Sequence, residues 1–387
     1  VILEAADSIG GRVATDEVDG FLLDRGFQVL LTEYAEAQDA LDYDALELRT
    51  FSPGALVRLS GRFRRVSDPV RDVAGLPNTI LSPIGTVHDK FRILQLRTSL
   101  GRSSEASILD RPETTTQQAL ESRGFSPMVI ERFFRPFLGG IMLDRSLRGS
   151  SRMFEFVFRM FSKGAAAVPA DGMRRIPAQL AGNLPVGSIR LESRVSEVRR
   201  GEVVTDDGDR FQASAVVVAV DGPAANKLLG TDDSPDYVHV YNLYFAAAKP
   251  PLNDPLLILN GDGIGPVNNA VILTNVAPSY SKSGACLISV TVLSDWRGDE
   301  DLESAVRGQL LEWFGERTGT LDHIRTYSIS DALPDQRPPF LSPPRKDPRV
   351  EPGIFRAGDY LDTASINGAL AAGRRAAEAV VKDLGIA

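Results

Sequence analysis

Glu4 closes an apolar run, Val1 to Leu3, and Gly10-Gly11-Arg12 follows after a polar turn. A carboxylate at the end of a strand offers two acceptor oxygens to a pair of adjacent hydroxyls, as on a ribose. Two glycines let the backbone pass close to a ligand, and an arginine offers a planar fork of donors to a pyrophosphate. Near the other end, Gly358-Asp359 follows the strand-like run Ile354 to Ala357. A helix rich in small residues then begins near Ser365-Ile366-Asn367. Gly368, Ala369, Ala371, Ala372 and Gly373 would let that helix approach a sheet or a flat ligand closely. Its free amides and dipole favour an electron-rich carbonyl at its start. Asp359 could accept hydrogen bonds from polyol hydroxyls. Taken singly, these stretches also suit a surface turn, a solvated arginine and a capped terminal helix.

The elements that must position them form an α/β chain. Val18-Asp19-Gly20-Phe21 predicts a hairpin, and a second spans residues 55–66 around Ser60-Gly61. The pattern turns helical from about 78 to 163, with Ser126-Pro127 as a helix start and Gly164 closing the helix of residues 151–164. Strand-like runs follow at Ile189 to Val198, Glu202 to Thr205 and Ala215 to Val220, with Asp207-Gly208 as a turn. Residues 237–247 and 285–293 read as strong strands, and residues 301–316 as an amphipathic helix with Leu302, Val306, Leu310, Leu311 and Phe314 on its apolar face. A Pro-rich loop covers residues 334–352, and a last helix runs from about 366 to 384.

At 387 residues, two domains are expected. With 43% hydrophobic and 24% charged residues the composition is that of a folded chain. A net charge of -8 argues against a general nucleic-acid binder. The single cysteine, Cys286, rules out an internal disulfide, and His88, His239 and His323 are too scattered for a local metal motif. No apolar run approaches the roughly 20 residues of a spanning helix, so a cytoplasmic protein is expected.

Together the motifs resemble one family over essentially the whole chain. Glu4 with Gly10-Gly11-Arg12, the D-R-G-F-Q of residues 24–28 and A-G-D-Y with S-I-N-G-A near the end are similar to the FAD-dependent amine oxidase superfamily. That family includes monoamine oxidases, protoporphyrinogen oxidases and bacterial-type phytoene desaturases. FFRPFLGGIMLDRSLRGSS resembles its Pro-containing segment between substrate-domain helices. VPADGMRRIPAQLA resembles its re-entry into the flavin domain, with Asp171 where a glycine is usual.

The resemblance implies a Rossmann-like FAD-binding domain from residues 1–54, 165–226 and 345–387. An α+β substrate domain of mixed sheet and helices would come from 55–164 and 227–344. It implies non-covalent FAD with Glu4 on the adenosine ribose and Gly10, Gly11 and Arg12 along the pyrophosphate and ribityl side. Gly26, Phe27 and Gln28 would approach the flavin ring, and the backbone near Val195 would meet the adenine edge. Gly358 and Asp359 would hold pyrophosphate and ribityl oxygens. Ser365, Ile366, Asn367 and Ala369 would face the flavin pyrimidine side, with the Ile366 amide toward the C2 carbonyl. Family members also carry a strand, a G-x-G-x-x-G loop and a helix before the acidic strand. The first βα unit is therefore expected to be missing, the chain N-terminally truncated, and its hold on FAD weak or lost.

Departures from the pattern sharpen the activity. Amine oxidases carry a lysine on a substrate-domain strand, whereas YVHVYNLYFAA has none and Lys249 lies beyond it. The paired aromatics expected near DALPDQRPPFLSPP are absent, and Cys286 is not where covalent flavin is attached. The resemblance thus points to removal of hydride from a carbon skeleton, with an apolar isoprenoid among the candidate substrates. Oxygen or a quinone would be the electron acceptor. Amine or amino-acid oxidation, or a flavin scaffold or isomerase without net redox turnover, are the alternatives. No catalytic acid or base stands out, and no metal site is expected.

Three features invite over-reading. LLILNGDGIGPV has glycines after a strand, but in G-x-G-x-G spacing, and reads as a hairpin. The aromatic helix of Met153, Phe154, Phe156, Val157, Phe158, Met160 and Phe161 reads as core, with a membrane-facing entrance as the sharper alternative. Arg58, Arg62, Arg64 and Arg65 read as a solvated face, with peripheral contact to anionic lipid as the sharper alternative. His239 points into the substrate cavity or away from it according to strand register.

Overall fold

The computed structural model describes residues 1–67, 71, 82–298 and 300–386. Residues 78–81, where the helical pattern was expected to begin, lie outside that set. A seven-stranded mixed sheet dominates. Its strand order is Asp322–Pro334, Tyr237–Ala247, Cys286–Leu293, Val267–Ile272, Leu257–Asn260, Gly54–Leu59, Arg62–Ser67. All neighbours are antiparallel except Leu257–Asn260 with Gly54–Leu59. Alternation gives the sheet two distinct faces. Leu243, Phe245, Ile288 and Val290 pack under the helix Leu302–Phe314, whereas Tyr244, Leu287 and Val271 turn to the main core.

That main core joins the sheet to the helices Val87–Arg102, Arg135–Met142 and Ser151–Lys163. Met153, Phe154, Phe156, Val157 and Met160 are buried there, so the aromatic helix is core as expected. It also reaches Leu22, Leu23, Leu30 and Leu31, so the first fifty residues and the sheet share apolar packing. No helix among the described residues is long and apolar enough to cross a membrane.

Smaller sheets carry the two ends of the chain. Ile2–Leu3 pairs in parallel with Ile189–Arg190, and Val216–Val218 pairs in parallel with Ile354–Arg356. Both parallel pairs end where a candidate ligand residue follows, Glu4 in one case and Gly358-Asp359 in the other.

Several expectations change in detail. The run from 189 to 198 is two strands, Ile189–Arg190 and Val195–Arg199, in different sheets. Glu192, with φ 53°, turns the chain between them. Asp207-Gly208 turns the hairpin between Glu202–Thr205 and Arg210–Gln212. On the helix Leu302–Phe314, Trp313 is buried and Leu311 is exposed, the reverse of the expected emphasis. Asp322–Pro334 is a strand that the sequence pattern did not mark. Arg58 is only 5% exposed and stacks on Phe63, so it leaves the solvated basic face assigned to it. The glycine-rich decoy is a hairpin, with Leu257–Asn260 antiparallel to Val267–Ile272.

Candidate functional site

Arg12 is the hub of the site. Its Nη2 donates to Asp359 Oδ1 at 2.7 Å, and its Nη1 donates to the Ala332 carbonyl at 3.1 Å. Its guanidinium lies 5.7 Å from the centre of the Tyr237 ring, whose hydroxyl accepts from the Gly222 amide at 2.9 Å. Burial works against the Arg12 charge, but the Asp359 carboxylate more than offsets it, so its pKa rises above the ordinary value. Gln28 Nε2 donates to the Arg12 carbonyl at 2.6 Å. Arg12 thus joins Gln28 and Asp359, residues from separate stretches of the chain.

The local backbone follows from residue type. Gly10 has φ 114° and a side chain there would run into the Val13 carbonyl, so only glycine fits. Gly11, at φ 55°, is exposed and has open space where a side chain would be. Gly26 is buried under Ile329, whose Cδ1 would lie 3.0 Å from an added Cβ. Phe27 is half-buried, edge-on to Phe51 at 6.1 Å.

Ser365 caps the 19-residue helix Ile366–Leu384, its Oγ accepting from the Gly368 amide at 3.1 Å. The amides of Ile366 and Asn367 are the outward donors of that first turn. Asn367 is buried and its Oδ1 accepts from the Glu36 amide at 3.0 Å, which fixes the helix start against the first fifty residues. Ala369 is exposed. Gly368 cannot bear a side chain, because a Cβ would collide with the Thr363 carbonyl.

Glu4 and Val195 form the other end. The Glu4 main chain bonds to Arg190 and Ser193, and its Oε1 accepts from the Ala6 amide at 2.8 Å. Val195 is half-buried and shares a small apolar cluster with Leu3, Tyr360 and Leu361. Tyr360 and Leu361 directly follow Asp359, so this cluster links the two ends of the site.

The inner sheet face is more polar than the sequence suggested. Tyr327, Asn242, Thr291 and Asn269 lie in cross-strand register on four adjacent strands. Asn269 Nδ2 donates to Thr291 Oγ1 at 3.1 Å, and Tyr327 donates to Asp16 Oδ2 at 2.7 Å. His239 belongs to the opposite face, with its ring 4.2 Å from Tyr241 and its Nε2 2.9 Å from Ser328 Oγ. Cys286 is also on that outer face, buried, and burial pushes its thiol up to about 11. Sequence reasoning missed Tyr237 and Ala332 at Arg12. Tyr237 begins a strand the sequence did mark; Ala332 sits on the strand it did not.

The donor set suits a ligand with both hydroxyl and phosphate groups. It combines a half-buried carboxylate at Glu4, an exposed positive-φ glycine, a guanidinium with two of its five N–H donors engaged here, and helix-start amides. These residues fit a dinucleotide such as FAD.

The sequence profile described as flavin containing amine oxidoreductase matches residues 1–381. A search of curated protein sequences gives no match. Among solved structures, an oxidoreductase from Methanosarcina mazei is similar with TM-score 0.74 at 17% identity, over 97% of this chain and 93% of that one. A protein from Exiguobacterium sp. 255-15 assigned as a protoporphyrinogen oxidase gives TM-score 0.73 at 18% identity, over 99% and 92%. Cyclohexylamine oxidase from Brevibacterium oxydans IH-35A gives 0.69 at 17%, over 99% and 93%. At these identities the structures speak to fold, and the profile speaks to kinship: this chain belongs to the flavin-containing amine oxidoreductases.

Proposed function

We propose that the protein is an FAD-dependent oxidoreductase that removes hydride from a carbon skeleton, in the manner of a protoporphyrinogen oxidase or phytoene desaturase. The observation that supports the flavin site in this reading is Arg12 bonding to both Gln28 and Asp359, the latter a few residues before the Ser365-capped helix start. When bound, the flavin supplies the hydride acceptor. Glu4 would hold ribose hydroxyls, and Gly10, Gly11 and Arg12 would lie along the phosphates. Gly358 and Asp359 would hold ribityl oxygens, and the backbone near Val195 would meet the adenine edge. Gly26, Phe27 and Gln28 would approach the ring system. The amides of Ile366 and Asn367 would favour negative charge at a carbonyl beside the Ser365 turn, while Ala369 leaves the outer side of that turn open.

The absence of lysine from Tyr237–Ala247 favours carbon-skeleton over amine oxidation. Burial of Cys286 on the outer sheet face favours non-covalent cofactor. Oxygen or a quinone would take the electrons onward. The test is anaerobic addition of a porphyrinogen, a polyene or an amine to the flavin-loaded protein. Bleaching of the visible flavin bands by the porphyrinogen or polyene supports the reading. Bleaching by the amine alone replaces it with amine oxidation.

A further inference from the structure

The hairpin Thr15–Val18 with Phe21–Asp24 leads directly into Gly26-Phe27-Gln28. Its last residue, Asp24, is 2% exposed. Its Oδ1 accepts from Thr15 Oγ1 at 2.6 Å and from the Met173 amide at 3.0 Å. Its Oδ2 accepts from Tyr280 Oη at 2.9 Å, and its carbonyl accepts from Tyr244 Oη at 2.8 Å. Thr15 Oγ1 accepts in turn from the Arg174 amide at 3.0 Å. Tyr244 lies on the large sheet and Tyr280 in the turn Pro278–Tyr280 that precedes Cys286–Leu293, and both are fully buried. One carboxylate therefore joins the hairpin, the turn at residues 169–173 and the segment between two sheet strands.

A buried carboxylate without a cation in contact is a costly group to keep. Neutral hydroxyls and one amide satisfy Asp24, and the Arg174 charge acts on it only from a distance. A packed apolar side chain would hold the same space without that penalty. What an apolar side chain lacks is direction: three donors from three segments fix where the chain leaves the hairpin. Two residues later the backbone enters the stretch beneath Ile329 and then bonds to Arg12 through Gln28.

We propose that Asp24 is a positioning residue that, through Tyr280, Thr15 and the Met173 amide, sets the Gly26–Gln28 backbone against the cofactor. It rests on the reading of that stretch as flavin-facing. The site requires small backbone displacements to be resisted, and Asp24 ties the end of the hairpin to two other segments, Met173 and Tyr280, two residues before Gly26.

The experiment compares Tyr280→Phe and Asp24→Ala with Tyr43→Phe, which removes a buried hydroxyl that has no partner among the described residues. Hydrogen exchange of the peptide covering 25–31 is measured without flavin, and FAD affinity and the visible flavin spectrum are measured by titration. Tyr280→Phe is expected to speed exchange in that peptide about tenfold, weaken FAD binding about fivefold or more and shift the flavin bands, with Tyr43→Phe as wild type. Asp24→Ala is expected to do more; if it does not fold, Tyr280→Phe decides. Wild-type exchange or wild-type FAD binding in Tyr280→Phe overturns the proposal. If wild-type protein itself binds no FAD, the flavin-facing reading falls and takes the proposal with it. That outcome is distinct from a loaded wild type with an unaffected variant.

Discussion

Replacing Arg12 by methionine keeps most of the side-chain volume and removes the charge that faces Asp359. Asp359 is 5% exposed, so its carboxylate would stay buried with its ion pair gone. Breaking a fully buried pair from one side costs about 3–5 kcal/mol. The Arg12 side chain is 35% exposed, so solvent screens the interaction and about 2–3 kcal/mol is expected. Asp359→Asn leaves a neutral amide that can still accept from Arg12, and about 1–2 kcal/mol is expected. In the double variant neither charge is stranded, so the losses should fall short of their sum by about 1–2 kcal/mol. The assay is urea unfolding by circular dichroism for all four proteins, with FAD affinity measured in parallel. Strictly additive losses would refute the direct coupling. Equal damage from the two single variants would refute the burial asymmetry.

Gly368→Ala drives a methyl into the Thr363 carbonyl and should cost about 1–3 kcal/mol, read as a lowered unfolding temperature. Phe154 is fully buried beside Phe134, and Phe154→Ala should cost about 3–5 kcal/mol in urea unfolding. Ser365→Ala removes the cap of the last helix; about 1 kcal/mol of stability and a measurable loss of FAD affinity are expected. Burial raises the Asp24 carboxyl from 3.8 to about 6, against hydrogen bonds from Thr15, Met173 and Tyr280. The folded state therefore prefers the protonated form. The resulting stability is present below about pH 4 and is lost as pH rises through about 6, by an amount on the order of 3 kcal/mol. Subtracting Asp24→Asn unfolding data from wild type between pH 4 and 7 isolates it, because Asp16, Asp89 and Asp233 shift downward and slope the other way. A flat difference would contradict the burial effect.

Local signals carried much of the fold. The hairpins at 15–24 and 54–67 were marked by turn residues between alternating runs, and the helix starts at Ser126 and Ser365 by their caps. Asp322–Pro334 escaped because it pairs on one side only, with Tyr237–Ala247, and keeps charged residues such as Arg325 and Asp331 along its length. An edge strand with one wet side lacks the continuous apolar run that marked Cys286–Leu293. The ligand-facing glycines and acids were legible as motifs. Their mutual contacts were not: Arg12 with Asp359, and Asp24 with Tyr280, join residues hundreds of positions apart. Arg58 misled for a related reason, since only the packing of Phe63 and the helix Leu302–Phe314 reveals that its side chain is buried.

The central claim is that the two ends of the chain build one flavin site. Its most direct test is titration of the purified protein with FAD, followed by visible absorption and flavin fluorescence, beside Arg12→Met. Weak but saturable binding of one FAD per chain, with structured flavin bands and weaker binding still in Arg12→Met, is the predicted result. No saturable change in the wild-type protein, or equal binding in Arg12→Met, would contradict the account.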